Sequence, residues 1–176
     1  MALRTADDRT RSAALAGGAL LVVVLAACVA ERTPAPPKVA AGLPHEGFGL
    51  DSNPDEGLKL VYGVEGTDNV TLMLECQPGS RKIAVIDFDH PDAQRGQALT
   101  LASGQTRSVL EPTLETNEED GGMIVTGHVT PDLPALDGFR RSGRIAVSVG
   151  SKGYMLSATT TERLKIERFF SGCDRR

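Results

Sequence analysis

The chain has 176 residues and a net charge of −4, with five Phe, two Tyr and no Trp. An acid excess without a basic stripe argues against nucleic-acid binding, and so few rings argue against a sugar- or base-stacking platform.

Arg4, Arg9 and Arg11 precede an apolar run from Ala13 to Ala27. That layout is a secretory signal, and the run is short of the roughly 20 apolar residues a spanning helix needs. It ends in Leu25-Ala26-Ala27-Cys28, with small side chains beside the expected cut. These four residues resemble the bacterial lipobox. The resemblance implies that residues 1–27 are removed and that Cys28 carries acyl chains as the first mature residue. One chain binds a membrane only reversibly, whereas two or three hold durably. Val29 follows, where in that family's sorting pattern an Asp favours inner-membrane retention, so the resemblance implies the outer membrane and a domain facing the periplasm. Pro34, Pro36, Pro37 and Pro44 lie among alanines. Such a segment favours extended polyproline-like chain, so residues 28–44 are expected to be a tether. Residues 45–176 then form one globular domain.

Leu58, Leu60, Tyr62 and Val64 alternate with Lys59, Val61 and Gly63, and Val70, Leu72, Leu74 and Cys76 repeat the pattern. Period-two runs are half-buried strands. Gly66-Thr67-Asp68-Asn69 supplies the turn between them, and Gln77-Pro78-Gly79-Ser80 the next. Lys82 to Phe88 is apolar on both faces and is expected to be a central strand. Gln97 to Ala102 and Arg107 to Glu115 flank the turn Ser103-Gly104-Gln105, and Pro112 makes the second an edge or bulged strand. The loop Asn117 to Gly122 leads into a strand carrying Met123, Val125 and Val129.

Pro131-Asp132 opens a short helix with Leu133, Leu136 and Phe139, ended by Gly143. Arg144 to Val149 and Tyr154 to Ala158 form a hairpin around Gly150 to Gly153. Ile166, Phe169, Phe170 and Cys173 fall on one helical face, capped by the run Thr159-Thr160-Thr161. The expected class is α+β and mostly β: an antiparallel meander, a short helix near 131–141 and a C-terminal helix packed on the sheet. With Cys28 acylated, Cys76 and Cys173 remain, and an even pair in an oxidising compartment reads as a disulfide.

Four clusters bear chemistry. Asp51, Asn53 and Asp55 have oxygen ligands at alternate positions, but Gly57 is one place late and Tyr62 stands where a bidentate Glu belongs. A polar turn before the first strand is expected instead. Asp87, Asp89, His90 and Asp92 combine carboxylates and imidazole, the groups of a divalent-metal or acid–base site. The alternative there is a solvated strand end that blocks edge pairing. Glu115, Glu118, Glu119 and Asp120 make a negative loop, a candidate contact for a basic partner. Arg140 and Arg141 read either as an anion contact or as cations at a helix C-terminus. No nucleophile or phosphate-loop signature occurs, so no catalytic, metal or cofactor residue is assigned.

The domain resembles small secreted bacterial proteins. Cys76, the segment Leu99 to Gly104 and the late Cys173 are loosely similar to membrane-bound lysozyme inhibitors. That resemblance implies that Ser103 sits on an exposed loop entering a target's active site. The expectation is therefore a lipid-anchored, non-catalytic binding or scaffold module with a protein partner in the envelope. The alternatives are an inhibitor of a cell-wall enzyme and a metal-dependent hydrolase using Asp87, Asp89 and His90. A carrier for an apolar ligand would need a cavity behind Phe169 and Phe170.

Overall fold

The computed structural model describes residues 46–174, all within one compact unit. The expected signal, Cys28 and the tether lie outside the described residues. Ten strands and two helices follow in order: β1 (Glu46–Asn53), β2 (Gly57–Val64), β3 (Val70–Cys76), β4 (Ile83–Asp87), β5 (Leu99–Ser103), β6 (Thr106–Leu110), β7 (Thr113–Thr116), β8 (Met123–Val129), α1 (Pro134–Ser142), β9 (Arg144–Val149), β10 (Lys152–Ser157) and α2 (Thr160–Asp174).

The strands form two antiparallel sheets. One has six strands in the order β1-β2-β3-β4-β8-β7, and the other has four in the order β10-β9-β5-β6. The mostly β class with two helical segments is as the alternation implies. β4 is central, flanked by β3 and β8. Two pairings, β4 with β8 and β5 with β9, join strands distant in sequence.

Two elements differ from the sequence reading. Asp51 to Gly57 is not a turn before the first strand: Asp51 to Asn53 end β1, Pro54 to Glu56 make the β1–β2 hairpin turn and Gly57 opens β2, since Glu46 to Asn53 pairs with Gly57 to Val64 along its whole length. Gly47 and Gly49 weaken the strand signal of β1, which forms because tertiary pairing overrides a weak local preference. Arg107 to Glu115 is not one strand. It breaks at Glu111-Pro112, and the two pieces join different sheets, each at an edge. Proline has no N–H for a ladder, so the chain changes sheets where pairing is already interrupted.

The inner faces of the two sheets meet at Gly127, where an added Cβ would come within 3.0 Å of Leu99 and Leu110. α1 packs on β5, β6 and β9, and α2 on β1 and β2. Phe139 of α1 joins the layers, with ring centroids 5.4 Å from Phe48 of β1 and 6.2 Å from Phe170 of α2. Ile166, Phe169, Phe170 and Cys173 are fully buried, which is the helical face read from their spacing. Phe169 and Phe170 belong to the buried core, their rings edge-on at 5.4 Å between centroids.

Helix α2 is held at both ends. At its start the Glu162 carboxylate accepts a hydrogen bond from the Thr159 N–H at 2.6 Å, while the Glu162 N–H donates to the Thr159 hydroxyl at 3.4 Å. This reciprocal pair is a capping box. The other Glu162 oxygen accepts from the outward Phe48 N–H of edge strand β1 at 3.2 Å, and Lys165 Nζ donates to the Phe48 carbonyl at 3.0 Å. Helix side chains thus cover part of the open ladder of an edge strand. A Cβ at Gly47 would collide with the Glu162 carboxylate, so glycine lets the latch close.

At the other end the β3–β4 turn donates to helix carbonyls: Gly79 N–H to Gly172 O at 3.1 Å and Arg81 N–H to Cys173 O at 3.3 Å. The Cys76–Cys173 disulfide lies beside this contact, with both residues buried and Cα atoms 5.9 Å apart.

Candidate functional site

Asp87 ends β4 in phase with Ile83 and Val85, so its side chain points inward and is fully buried. The chain then turns through Phe88, Asp89 and His90. Asp89 N–H donates to Asp87 Oδ1 at 3.1 Å, and the imidazole of His90 folds back so that Nδ1 meets Asp87 Oδ2. From the opposite sheet, the Tyr154 hydroxyl of β10 donates to Asp87 Oδ1 at 2.9 Å, and its ring stacks on His90 at 5.7 Å between centroids. The two-residue turn Gly150-Ser151, with Gly150 at φ 59°, brings Lys152 over His90. His90 Nε2 then donates to the Lys152 carbonyl at 3.2 Å.

These partners set the protonation of the network. A carbonyl only accepts, so Nε2 carries a proton; Asp87 already accepts two bonds at Oδ1, so a proton on Nδ1 completes the set. Burial lowers the His90 pKa, but the hydrogen bond to Asp87 and its charge, the Lys152 carbonyl and Asp89 together hold it above 6.5. The Tyr154 phenol is pushed well above 10, first by burial and then by the charge of Asp87. It stays a neutral donor. Among the described residues, no buried side-chain N or O atom lacks a hydrogen-bond partner.

The arrangement corrects the picture of a solvated strand end. β4 is not an edge, and Asp87 and His90 are buried rather than facing water. Of the proposed acid–base set, the structure brings together Asp87 and His90. Asp89 joins through its backbone, its side chain lying on the exposed side of the turn. Loss of surrounding water, then the Asp87 charge, raises the Asp89 pKa. Asp92 turns away to an exposed ion pair with Lys152 at 2.7 Å. A depression of about 270 Å³ beside the turn is lined by His90, Asp92, Gln94, Gln97 and Lys152 but by neither Asp87 nor Asp89. With both ring nitrogens donating, His90 has no lone pair for a metal or a substrate proton. Among the described residues, no group of three or more His, Cys, Asp or Glu is placed to hold a metal ion.

Tyr154 was missed as the third member. The signal was present for Asp87, whose phase with Ile83 and Val85 places a carboxylate in the core and so demands a partner. Which residue answers it depends on how the two sheets face each other.

The other candidates fall elsewhere. Glu118, Glu119 and Asp120 are exposed on the β7–β8 loop. That loop is ordered by Asn117 N–H to Gly122 O at 2.7 Å and by Asn117 and Asp120 side chains accepting from the Glu119 and Gly122 N–H groups. Met123 N–H donates to the Pro91 carbonyl at 3.1 Å, which pins the acidic loop to the turn carrying Asp89 and Asp92. In the β1–β2 turn, Asn53 Oδ1 accepts from Asp55 N–H at 3.0 Å and Asp51 Oδ1 from Ser52 N–H at 2.8 Å, the bonds of a polar hairpin turn.

Ser103 is not on an exposed loop. It is buried at the end of β5, its hydroxyl 3.0 Å from that of Ser142 in α1. The resemblance to lysozyme inhibitors therefore carries over no exposed serine. Arg140 is committed to Glu167 and Asp174, and Arg141 pairs with Asp137 on its own helix. Comparison with family models, with curated proteins and with solved structures gives no match for the chain.

Proposed function

We propose that the protein is a lipid-anchored envelope module that binds a protein partner without performing chemistry. Cys28 would fix it to the membrane, the outer one favoured, and residues 28–44 would hold the domain off the surface in the periplasm. The observation that carries the non-catalytic reading is the closed Asp87–His90–Tyr154 network. Its members spend their hydrogen-bonding capacity on one another and on Lys152, which suits a device that locks two sheets together. The buried Cys76–Cys173 bridge is compatible with an oxidising compartment. The exposed, ordered loop at Glu118, Glu119 and Asp120 offers a contact for a basic partner, a cell-wall enzyme being one class that fits.

Two measurements test the reading. Metabolic labelling with a clickable fatty acid should mark the protein, and Cys28→Ala should abolish both the label and membrane fractionation. Chemical crosslinking in intact envelopes should then recover a stoichiometric partner, with loss on combined Glu118→Gln, Glu119→Gln and Asp120→Asn. A preparation that carries label but no partner, and hydrolyses an ester or phosphoester panel in a way that His90→Gln removes, would favour the hydrolase instead.

A further inference from the structure

The six-stranded sheet has two faces, and the core uses one. Leu60, Leu72, Leu74, Ile83 and Val85 point inward and are fully buried. On the opposite face one residue from each strand falls in a single row, for Gly49, Val61, Met73, Ile86, Thr126 and Thr113 are cross-strand partners in succession. Five strand spacings of about 4.8 Å make that row about 24 Å long.

Phe88 and Ile124 lie beside it by strand alternation. Val61, Met73, Ile86, Phe88 and Ile124 neither belong to the core nor pack against it. These side chains are half-buried; α1 packs on the other sheet, and α2 reaches this face only at its β1–β2 edge, where Glu162 and Lys165 line a depression with Gly49 and Val61. An antiparallel sheet with one solvated face ordinarily alternates apolar in, polar out. β4 breaks that rule with Ala84 and Ile86, and Phe88 just after it continues the pattern.

One border of this strip, beyond Phe88 and Ile124, is acidic, whereas the opposite row of Asp51, Lys59, Glu75, Ala84 and His128 is mixed. Glu115 stands opposite Ile124 on the same face and leads into Glu118, Glu119 and Asp120. Asp89 follows Phe88, and the bond from Met123 N–H to the Pro91 carbonyl joins the two acidic segments into one rim. An apolar centre with a charged, wet margin is the anatomy of a protein interface. The rim selects the occupant. An anionic lipid surface would be repelled, and a second copy would bring the same acidic rim against itself.

We infer that the outer face of β2, β3, β4 and β8, with its rim at Glu115 to Asp120, docks a protein that presents an apolar strip bordered by Lys and Arg. This rests on the binding-module reading above and names its surface. The rim steers encounter, and burial of the strip sets the lifetime of the complex.

The test uses the full lipidated chain in its own envelope, with a photocrosslinking benzophenone amino acid replacing Met73 or Ile86 in turn. Val109 and Leu164, exposed elsewhere, are control positions. The expected result is an adduct at Met73 and Ile86, absent at the controls, with one protein whose contacting peptide is apolar and flanked by basic residues. Thr126→Lys and Ile86→Lys, tested in chains photolabelled at Met73 and verified to keep the Cys76–Cys173 bridge, should each lose that adduct. Combined Glu118→Gln, Glu119→Gln and Asp120→Asn should slow its formation. Adducts with a second copy, with lipid, or with residues 28–45 of the same chain would overturn the inference. An adduct from a probe at Glu119 with none at Met73 or Ile86 would overturn it while leaving the binding module standing. Absence of adducts at all these positions would overturn both.

Discussion

Asp87 is a carboxylate in the core, and burying such a group is costly unless hydrogen bonds and a counter-charge answer it. His90 and Tyr154 supply both, so each holds the folded state in a measurable way. Tyr154→Phe deletes the 2.9 Å donor to a buried carboxylate while keeping the ring. Bonds to charged groups are worth about 1.5–3 kcal/mol, so urea unfolding at pH 6 should show a loss of about 2 kcal/mol.

The pH dependence has a defined sign. The His90 value in the folded state lies above its ordinary 6.5. Its contribution is therefore complete below pH 6.5 and is lost as pH rises through the folded value. Unfolding midpoints should fall across that window in the wild type, and the slope should flatten in His90→Gln. The groups facing the imidazole are Asp87, Asp89, Tyr154 and the Lys152 carbonyl. Tyr154 stays neutral throughout, and the raised Asp89 acts at lower pH, in its own acid window. A midpoint that rises as pH climbs above 6.5 would refute the charged pair.

Among the elements, α2 shows how one side chain serves two structures. Glu162 closes the capping box with Thr159 and also occupies the Phe48 N–H of β1. Loss of a cap costs about 0.5–2 kcal/mol, and the freed N–H adds to it. Glu162→Ala should therefore destabilise by about 2 kcal/mol in urea titration. Glu162→Gln, whose amide oxygen still accepts one bond, should lose less. If the two variants are equally stable, Glu162 holds neither end.

The apolar spacing of Ile166, Phe169, Phe170 and Cys173 is legible in one segment, because a helix face is set by its own period. The strand β1 is not, because Gly47 and Gly49 blur its local pattern and Gly47 is needed for a contact made elsewhere. Gly47 makes room for Glu162, which lies more than a hundred residues away. The break between β6 and β7 is half legible: Pro112 marks an interruption, but which sheet takes each piece depends on where β5 and β8 stand.

For the whole molecule, the Cys76–Cys173 bridge closes a loop that runs from the end of β3 through α2, its ends 97 residues apart in sequence. The chain-entropy model gives about 4.7 kcal/mol for a loop near that size. The bridge also sits where the β3–β4 turn caps α2, so its loss frees the helix that fills the core with Phe169 and Phe170. Paired Cys76→Ala and Cys173→Ala should lower the unfolding free energy by about 3–5 kcal/mol, with circular dichroism reporting loss of helix before loss of sheet. Both sulfurs are buried. Reductant should therefore act on the native protein only at the rate at which α2 opens, and thiol trapping against time would measure that rate.

The chain alone determined what depends on short-range pattern: a strand-dominated α+β domain, the period of strands such as β2, β3 and β4, the buried face of α2, Gly143 at the end of α1, and the pairing of Cys76 with Cys173. It also placed Asp87 and His90 within reach of each other, because they are three residues apart. Only the tertiary structure decided the rest, and for one physical reason. Tyr154 completes a network from 67 residues away, Glu162 reaches β1 from 114 residues away, and Ser103 is turned inward by α1. Each depends on which surfaces face one another after the sheets are ordered, and strand order is set by long-range burial that no local spacing records.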